Sequence, residues 1–341
     1  MLFFRNDYSN GAHPLVMEAL CKTNLELTAG YGVDPYCQAA ADRIRRLCAC
    51  DEAEVHFIVG GTQANKTAIG AFLRPWEAVI TADTGHIHAH EAGAIEHNGH
   101  RLYLLPTPDG KLRPEQIRDL CRVYMQEETA AAPKLVYISN TTELGTVYTL
   151  AELAALRAVC DEWGLYLYCD GARLACAMAV SDASFADYGA TCHAFTIGGT
   201  KNGLLFGEAL VITEPALMPS FRRCMKQQGA ILAKGRLLGI QFDTALKDGL
   251  YMELAERSMV AARMLTAGLK ELGIPLLIDS PSNQVFPILP NGIRDELAKQ
   301  VSFELWSVVD EHRSCVRFVT AWHTTEEEVQ ELLDLLRNLL V

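Results

Sequence analysis

The sequence predicts an α/β fold in which a mostly parallel sheet is covered on both faces by helices. Over residues 54–213, short runs of β-branched, aromatic and aliphatic residues alternate with windows whose apolar residues recur at helical spacing. Strands that alternate with helices in this way form parallel sheets, because each crossover helix returns the chain to the same edge. Ligands of such sheets bind at the carboxyl ends of the strands, so functional residues are expected there.

Seven runs are predicted to be strands. Each has five or six residues, and they are EVHFIV (54–59), EAVITA (77–82), RLYLL (101–105), KLVYIS (134–139), LYLYCD (165–170), HAFTIG (193–198) and EALVIT (208–213). Most windows between them are helical, as in TLAELAALRAVCDEWG (149–164), where Gly164 falls at the expected end of the helix.

The pattern changes after residue 249. Two long helical stretches, YMELAERSMVAARMLTAGLKEL and TTEEEVQELLDLLRNLL, frame the strand candidates NQVFPIL (283–289) and CVRFVTAW (315–322). We therefore predict a large domain over residues 15–249 and a smaller α+β domain over residues 250–341, which the N-terminal residues 1–14 join.

Composition limits the kind of partner. A formal charge of −12 over 341 residues argues against nucleic acids and anionic membranes, which bind clustered Lys and Arg, and favours a small-molecule ligand. No apolar run has the length of a membrane span, and the N-terminus shows no secretory signal pattern. Eleven cysteines are scattered through predicted helices and strands, which is typical of reduced thiols, so a cytoplasmic location is expected.

A glycine pair at the start of a helix predicts an anion site. In VGGTQANKTAIGAF (59–72) a strand runs into Gly60 and Gly61 and then into a helix, whose free N–H groups and dipole attract a phosphate. The stretch is not a P-loop, because Asn65 stands where the glycine before the lysine is required. A glycine turn without a ligand would explain the same residues.

Two further stretches carry ionisable groups at strand ends. In YCDGARLA (168–175), Asp170 can hold a cationic heteroaromatic nitrogen and Arg173 can grip a carboxylate, although a structural ion pair would explain both equally well. In FTIGGTKNGLLFGEALVI (195–212), Lys201 lies in a glycine-rich turn suited to Schiff-base chemistry, and a solvated surface lysine is the ordinary alternative. A phosphate cradle, an aspartate and a lysine together are what pyridoxal 5'-phosphate needs.

Several stretches, in this order, resemble the threonine aldolase group of the β-eliminating lyase family, which comprises fold-type-I pyridoxal-phosphate enzymes. They are NDYSNGAHP, GYGVDPYCQAA, GGTQANKT, DTGHIHAHEAGAIE, ISNTTELGTVY, DGARL and GGTKNGLLFGEALVI. The resemblance is strong over residues 4–240, continues faintly to VRFVTAWHTTEEEV, and is greatest for low-specificity L-threonine aldolases. It implies pyridoxal phosphate as cofactor and retro-aldol cleavage of a β-hydroxy-α-amino acid to glycine and an aldehyde.

The resemblance also implies roles for individual residues. It identifies Lys201 as the Schiff-base lysine, Asp170 as the partner of the pyridine nitrogen and His86 as an imidazole stacked on the ring. The implied cofactor contacts further include Gly61, Thr62, Gln63, Arg173 and Thr200. The implied substrate contacts are Asn6, Tyr31, His88, Arg173 and Arg317.

The family's subunit arrangement implies a homo-oligomer, with a dimer of dimers that shares active sites between subunits. Tyr31 matches a loop that reaches a neighbouring subunit's site, and Asn6 stands where many members have a serine. A second active-site histidine that some members carry before KLVYIS has no counterpart in ETAAAPK. The resemblance therefore assigns acid–base work on the substrate hydroxyl to His86, His88 or a bound water.

The stretch TGHIHAHEAGAIEHNGH (84–100) contains five of the ten histidines, a density that is compatible with a metal site. The spacing of His86, His88 and His90 permits ligation, which keeps a metal hydrolase as a remote possibility. The setting after a strand favours a cofactor and acid–base role for His86, no metal site, and no role for His90. The sequence is also compatible with a β-eliminating lyase, an aminotransferase, an aldolase for a bulkier substrate such as phenylserine or hydroxyaspartate, and a non-catalytic binding protein.

Overall fold

The computed structural model describes residues 1–340 and contains one large sheet with smaller strands beside it. The strands are β1 (Leu2–Phe3), β2 (Glu54–Ile58), β3 (Glu77–Ala82), β4 (Leu102–Leu105), β5 (Ala132–Ser139), β6 (Tyr166–Asp170), β7 (Ala194–Gly198), β8 (Glu208–Ile212), β9 (Gln284–Val285), β10 (Ile288–Pro290), β11 (Val301–Ser302), β12 (Glu304–Val308) and β13 (Arg313–Val319). The seven predicted strands of the large sheet are all present, each within two residues of its expected ends.

The large sheet has the order β2-β8-β7-β6-β5-β3-β4. Strands β3 to β7 pair in parallel, whereas β8 runs antiparallel to both of its neighbours, β2 and β7. The mostly parallel, seven-stranded α/β fold predicted from the sequence is therefore confirmed. Because β3, β5, β6 and β7 point the same way, the segments that follow them meet at one edge.

The helices are α1 (Pro14–Lys22), α2 (Pro35–Leu47), α3 (Gly61–Phe72), α4 (His86–Ala89), α5 (Ala94–His97), α6 (Pro114–Tyr124), α7 (Leu150–Trp163), α8 (Leu174–Met178), α9 (Phe185–Thr191), α10 (Phe221–Gln227), α11 (Arg236–Leu246), α12 (Leu250–Glu271), α13 (Asn291–Leu297) and α14 (Glu326–Leu340), with 3-10 turns at Pro215–Leu217 and Lys247–Gly249. Most helices pack against the large sheet, whereas α13 and α14 pack against the smaller one.

Local chemistry sets the ends of α7 where the sequence predicts them. The Thr149 hydroxyl accepts a hydrogen bond from the backbone N–H of Glu152, and the Glu152 carboxylate accepts one from the backbone N–H of Thr149. At the other end, Gly164 adopts φ 64°, a left-handed conformation that glycine reaches without a Cβ clash.

Apolar residues fill both faces of the large sheet. One cluster includes Ile80, Val136 and Leu167, and a second includes Val79, Leu135 and Tyr168, so successive residues of one strand alternate between the two clusters. Strands β7 and β8 are buried along their whole length. The sheet is thus a rigid base for the segments at its carboxyl edge.

The C-terminal strands form a smaller, antiparallel sheet in which β13 pairs with β9, β10 and β12. Strand β1 pairs in parallel with β11, which attaches the N-terminus to this part of the chain. A separate apolar cluster joins Leu2 and Phe4 to residues of α12, β13 and α14. Val341, the last residue of the predicted small domain, lies outside the described residues.

The sequence patterns did not reveal β1, β11 or β12. Strand β12 is half-exposed, and ELWSV lacks a regular alternation of apolar and polar residues, so it carries a weak strand signal. Two-residue strands such as β1 and β11 are too short to produce a periodic pattern at all.

Among residues 1–340, no helix combines the length and apolarity needed to cross a membrane.

Candidate active site

A cavity of about 400 Å³ lies where the large sheet's carboxyl edge meets the small sheet and the N-terminal segment. Its lining includes eight of the predicted site residues: Gly61, Thr62, His86, Asp170, Arg173, Thr200, Lys201 and Arg317. The rest of the lining consists of Tyr8, Val59, Gly60, His90, Glu143, Ala172, Phe206, Glu208 and Glu304. Residues as distant in sequence as Tyr8 and Arg317 therefore share one site.

The glycine pair forms an open cradle at the N-terminus of α3. Gly60 is the N-cap residue and offers no side-chain cap, so the first N–H groups of this 12-residue helix keep their capacity to bind an anion. A Cβ placed on Gly60 or Gly61 would meet no atom within 4 Å. The cradle thus has open space at the positive end of the helix dipole.

Gln63, predicted to contact the cofactor, instead donates to the carbonyl of Gly229 at 3.1 Å and does not line the cavity.

Asp170, at the end of β6, is buried and tightly oriented. Its Oδ2 accepts hydrogen bonds from Asn65 Nδ2 and Tyr137 OH, both at 2.7 Å, and its Oδ1 accepts one from the backbone N–H of Ala172 at 3.0 Å. Asn65 also donates to Glu91 at 2.9 Å. This network fixes the carboxyl group of Asp170 in the cavity wall.

Lys201 follows β7 in a turn that neighbouring side chains hold in shape. The hydroxyl of Thr200 accepts a hydrogen bond from the backbone N–H of Gly207 at 3.0 Å, and Asn202 donates to the carbonyl of Tyr251 at 2.8 Å. Burial and the positive charge of Arg173 lower the pKa of Lys201. A lowered pKa makes the neutral, nucleophilic amine more available.

Both predicted carboxylate-binding arginines are already paired with acidic side chains. Asp7 accepts from Arg173 Nε at 2.7 Å and from Nη2 at 3.1 Å, and this pair is buried. Arg317 pairs with Glu304, donates to Gln284 at 3.1 Å, and stacks over Trp306 with 5.1 Å between guanidinium carbon and ring centroid. The Asp7 pairing leaves Nη1 of Arg173 for another partner.

His86 is the histidine of the predicted set that lines the cavity, and its Nδ1 lies 3.0 Å from Oε1 of Glu143. His88, predicted to line the substrate pocket, is exposed and outside the cavity because α4 turns it toward the surface. His90, to which the sequence assigned no role, lines the cavity instead, 3.8 Å from Glu143. Within residues 1–340, no group of three or more His, Cys, Asp or Glu side chains is arranged to hold a metal ion.

Two predicted substrate contacts lie outside the cavity of the single chain. The Asn6 side chain accepts hydrogen bonds from the backbone N–H of Tyr8 and from the Ser9 hydroxyl, so its oxygen is occupied within the N-terminal turn. Tyr8 of the same turn lines the cavity. Tyr31 is exposed at a separate groove, where its ring lies 4.8 Å from the ammonium of Lys226.

Sequence reasoning missed four acidic residues in or beside the site: Glu143, Glu208 and Glu304 line the cavity, and Asp7 pairs with Arg173. Glu143 was open to detection, because it follows β5 at the same sheet edge as Asp170. Glu208 starts the antiparallel strand β8 and reaches the site from its amino end, so the strand-end rule does not reveal it. Burial and the charge of Asp170 raise the pKa of Glu208 to about 8.

The architecture, the anion cradle, the oriented carboxyl group and the adjacent lysine define the class of a fold-type-I pyridoxal-phosphate enzyme. The same architecture is found in a solved mutant of aspartate aminotransferase from Thermus thermophilus, with a TM-score of 0.73 at 17% identity over 99% of this chain and 91% of that one.

The chain belongs to the beta-eliminating lyase family, whose model matches residues 4–289. It is 32% identical over 334 residues to a protein of Pseudomonas aeruginosa named low specificity L-threonine aldolase, which covers 96% of this chain and 95% of the relative. A solved structure of threonine aldolase from Leishmania major is 45% identical, with a TM-score of 0.98 and 100% coverage of both chains. The predicted family and cofactor are confirmed.

Proposed function

We propose that the chain cleaves a β-hydroxy-α-amino acid of the L-threonine or L-allo-threonine type into glycine and an aldehyde. The similarity to proteins named threonine aldolase supports this reaction. The observation that carries it is that Lys201, Asp170, His86 and two arginines line one cavity next to an anion cradle. The enzyme is then a pyridoxal-phosphate-dependent carbon–carbon lyase.

The residues present fit pyridoxal phosphate. The open space at Gly60 and Gly61, beside the hydroxyls of Thr62 and Thr200, suits a phosphate, and the fixed carboxyl of Asp170 suits a protonated ring nitrogen. Lys201 is the amine that would bind the aldehyde of the cofactor. When bound, the cofactor supplies an electron sink for the bond broken at Cα.

The protein's own part in the reaction is to orient the substrate and to move a proton. Arg317 and the free Nη1 of Arg173 hold the substrate carboxylate, which selects the Cα–Cβ bond for cleavage. His86 removes the proton of the β-hydroxyl, directly or through water. His90 and Tyr8 line the same cavity and stand where the side chain of His88 was expected.

Product analysis tests the proposed reaction. Purified enzyme reconstituted with pyridoxal phosphate should release equal amounts of glycine and acetaldehyde from L-threonine, detected by chromatography and a coupled alcohol dehydrogenase assay. Release of ammonia and a keto acid instead would identify a β-eliminating lyase and overturn the proposal. Parallel assays with L-allo-threonine, phenylserine and hydroxyaspartate would rank the substrates and expose an aldolase specialised for a bulkier side chain.

Replacing Gly61 tests the cradle without disturbing the fold. We expect Gly61→Ala to keep the midpoint of thermal unfolding of the apoprotein, because the new methyl group meets no protein atom. The same methyl group enters the space assigned to the phosphate, so the dissociation constant for pyridoxal phosphate should rise by about tenfold or more. Fluorescence titration measures the constant. Gly292→Ala, at an equally open position outside the cavity, is the control.

We further propose a homotetramer built as a dimer of dimers and a cytoplasmic location. The exposed Tyr31, with Lys226 beneath its ring, supports a role for this groove in a neighbouring subunit's site. All eleven cysteines are free thiols, which supports a reducing compartment. Light scattering measures the subunit number.

We also propose that the chain divides into a large domain of residues 15–249 and a small domain of residues 250–341 joined by residues 1–14. The separate apolar cluster around Leu2 and Phe4 supports this division.

A further inference from the structure

His86 is bonded to a buried carboxylate to which the proposed function assigns no role. Glu143 Oε1 lies 3.0 Å from Nδ1 of His86, and Glu143 Oε2 lies 3.8 Å from Nε2 of His90. The Glu143 side chain is only 8% exposed, yet it lines the cavity. Burying a carboxylate removes its hydration, which is unfavourable unless a partner stabilises the charge. The partners of Glu143 are two imidazoles.

The turn that carries Glu143 is held in one shape. The backbone N–H of Thr142 donates to the carbonyl of Thr146 at 2.9 Å, and the hydroxyls of the same two residues are 2.8 Å apart. From the small sheet, Gln284 donates to the carbonyl of Thr142 at 3.2 Å. Gln284 also accepts a hydrogen bond from Arg317. Glu143 therefore has a fixed position relative to Arg317 as well as to His86.

The charges around the pair favour one protonation state. Burial favours protonation of Glu143, but the hydrogen bond and charge of His86, with Arg173 and Lys201, lower its pKa to about 2. The ionised carboxylate can only accept, so Nδ1 of His86 carries the donated proton. Burial disfavours the imidazolium, but Glu143 and Asp170 outweigh burial and Lys201, and the pKa of His86 lies above its ordinary value.

We propose that Glu143 is a positioning residue for the reaction. By accepting from Nδ1, its carboxylate fixes the ring and tautomer of His86 and leaves Nε2 as the nitrogen that takes the proton of the substrate β-hydroxyl. The inference rests on the proposed aldolase function. It accounts for a carboxylate that sequence reasoning left out of the site.

The proton and electron balance of the step is simple. The O–H bond of the β-hydroxyl breaks and an N–H bond forms at Nε2 of His86, while the hydroxyl oxygen becomes the aldehyde carbonyl. The electron pair of the broken Cα–Cβ bond stays with the glycine half, and one proton is returned to Cα. Glu143 stays ionised throughout and stabilises the positive charge that His86 gains.

Two substitutions separate the charge of Glu143 from its hydrogen bond. E143Q keeps an oxygen that can accept from Nδ1 but removes the charge, so the acid limb of the pH profile of kcat/KM should move to lower pH. We expect kcat to fall by about tenfold, because a less basic imidazole accepts the proton less readily. E143A removes the acceptor as well, and kcat should fall by about 10²-fold or more because the ring and tautomer are no longer fixed.

A second readout does not depend on turnover. In the holoenzyme labelled with ¹³C at histidine Cε1, the His86 resonance, assigned by its loss in H86N, should titrate at lower pH in E143Q than in the wild type. D161N is the matched control, because Asp161 lies 3.9 Å from Nε2 of His193 outside the cavity. We expect D161N to leave the kcat/KM profile in place.

Each outcome has a defined meaning. A shift of both the pH profile and the His86 titration to lower pH in E143Q supports the inference. A profile that superimposes on the wild type overturns it, even if the His86 resonance shifts, since the proton of His86 would then not control the reaction. Wild-type enzyme that releases no glycine and aldehyde overturns the proposed function itself, whatever E143Q does.

Discussion

In Lys201→Ala, kcat should fall by on the order of 10³-fold or more. The variant should also hold no cofactor covalently. The side chain stands in the cavity wall after β7, and burial and the charge of Arg173 lower its pKa, so it is suited to attack a carbonyl. After borohydride reduction, mass spectrometry of peptides should find pyridoxyl label on Lys201 in the wild type and no label in the variant. The visible absorption band of the covalently bound cofactor should be present in the wild type and absent in the variant.

Two further variants make this result specific. Lys201→Arg keeps a positive charge but cannot form the bond, so it should retain cofactor by non-covalent contacts and still fail in turnover. Lys270→Ala, at an exposed lysine paired with Asp279, should match the wild type in label and turnover. Borohydride label on another lysine of the unmodified protein would show that Lys201 has been assigned wrongly.

Asp7→Asn should lower the free energy of unfolding by about 3–5 kcal/mol, because it leaves the buried guanidinium of Arg173 without its counter-ion. The change in volume is small, so lost packing contributes little. Urea titration of the apoprotein, followed by circular dichroism, measures the loss. D119N removes the partner of an exposed arginine, Arg122, and should leave the midpoint nearly unchanged.

The same variant predicts a change in acid sensitivity. Burial acts to raise the pKa of Asp7, but the charges of Arg173 and Lys201 and the hydrogen bonds from Arg173 and Asn283 hold it below its ordinary value. A lowered pKa means that the ionised group stabilises the folded protein at neutral pH and loses this effect as pH falls through the folded value. In Asp7→Asn this part of the acid destabilisation should be absent. An equal acid dependence in both proteins would show that the Asp7–Arg173 pair is not responsible.

The residues that sequence reasoning found share a local signal. Asp170 ends a strand, and Lys201 and the glycine pair each follow one, so strand patterns and turn chemistry place them at the same edge of the sheet. Thr149 and Gly164 likewise bound their helix by purely local chemistry. These features depend on neighbours within a few positions, which a single sequence contains.

The features that it did not reveal depend on contacts between distant segments or on local packing. Arg173 is paired with Asp7, 166 positions away, and the orientation of His88 against His90 is decided by how one turn of helix packs after β3. Strand β12 is an edge strand that β13 stabilises by pairing rather than by its own pattern. None of these partnerships leaves a periodic trace in the sequence.

Asn65 gives the site a further property. Its side chain lies on α3, the helix that starts at the glycine cradle, and its amide bonds to Asp170, while the Tyr168 hydroxyl donates to its oxygen at 2.9 Å. The helix whose N-terminus would hold the phosphate of the cofactor therefore also orients, through Asn65, the carboxyl group that would pair with the ring nitrogen. We therefore expect inorganic phosphate alone to bind at this helix, to compete with the cofactor and to protect the apoprotein against proteolysis.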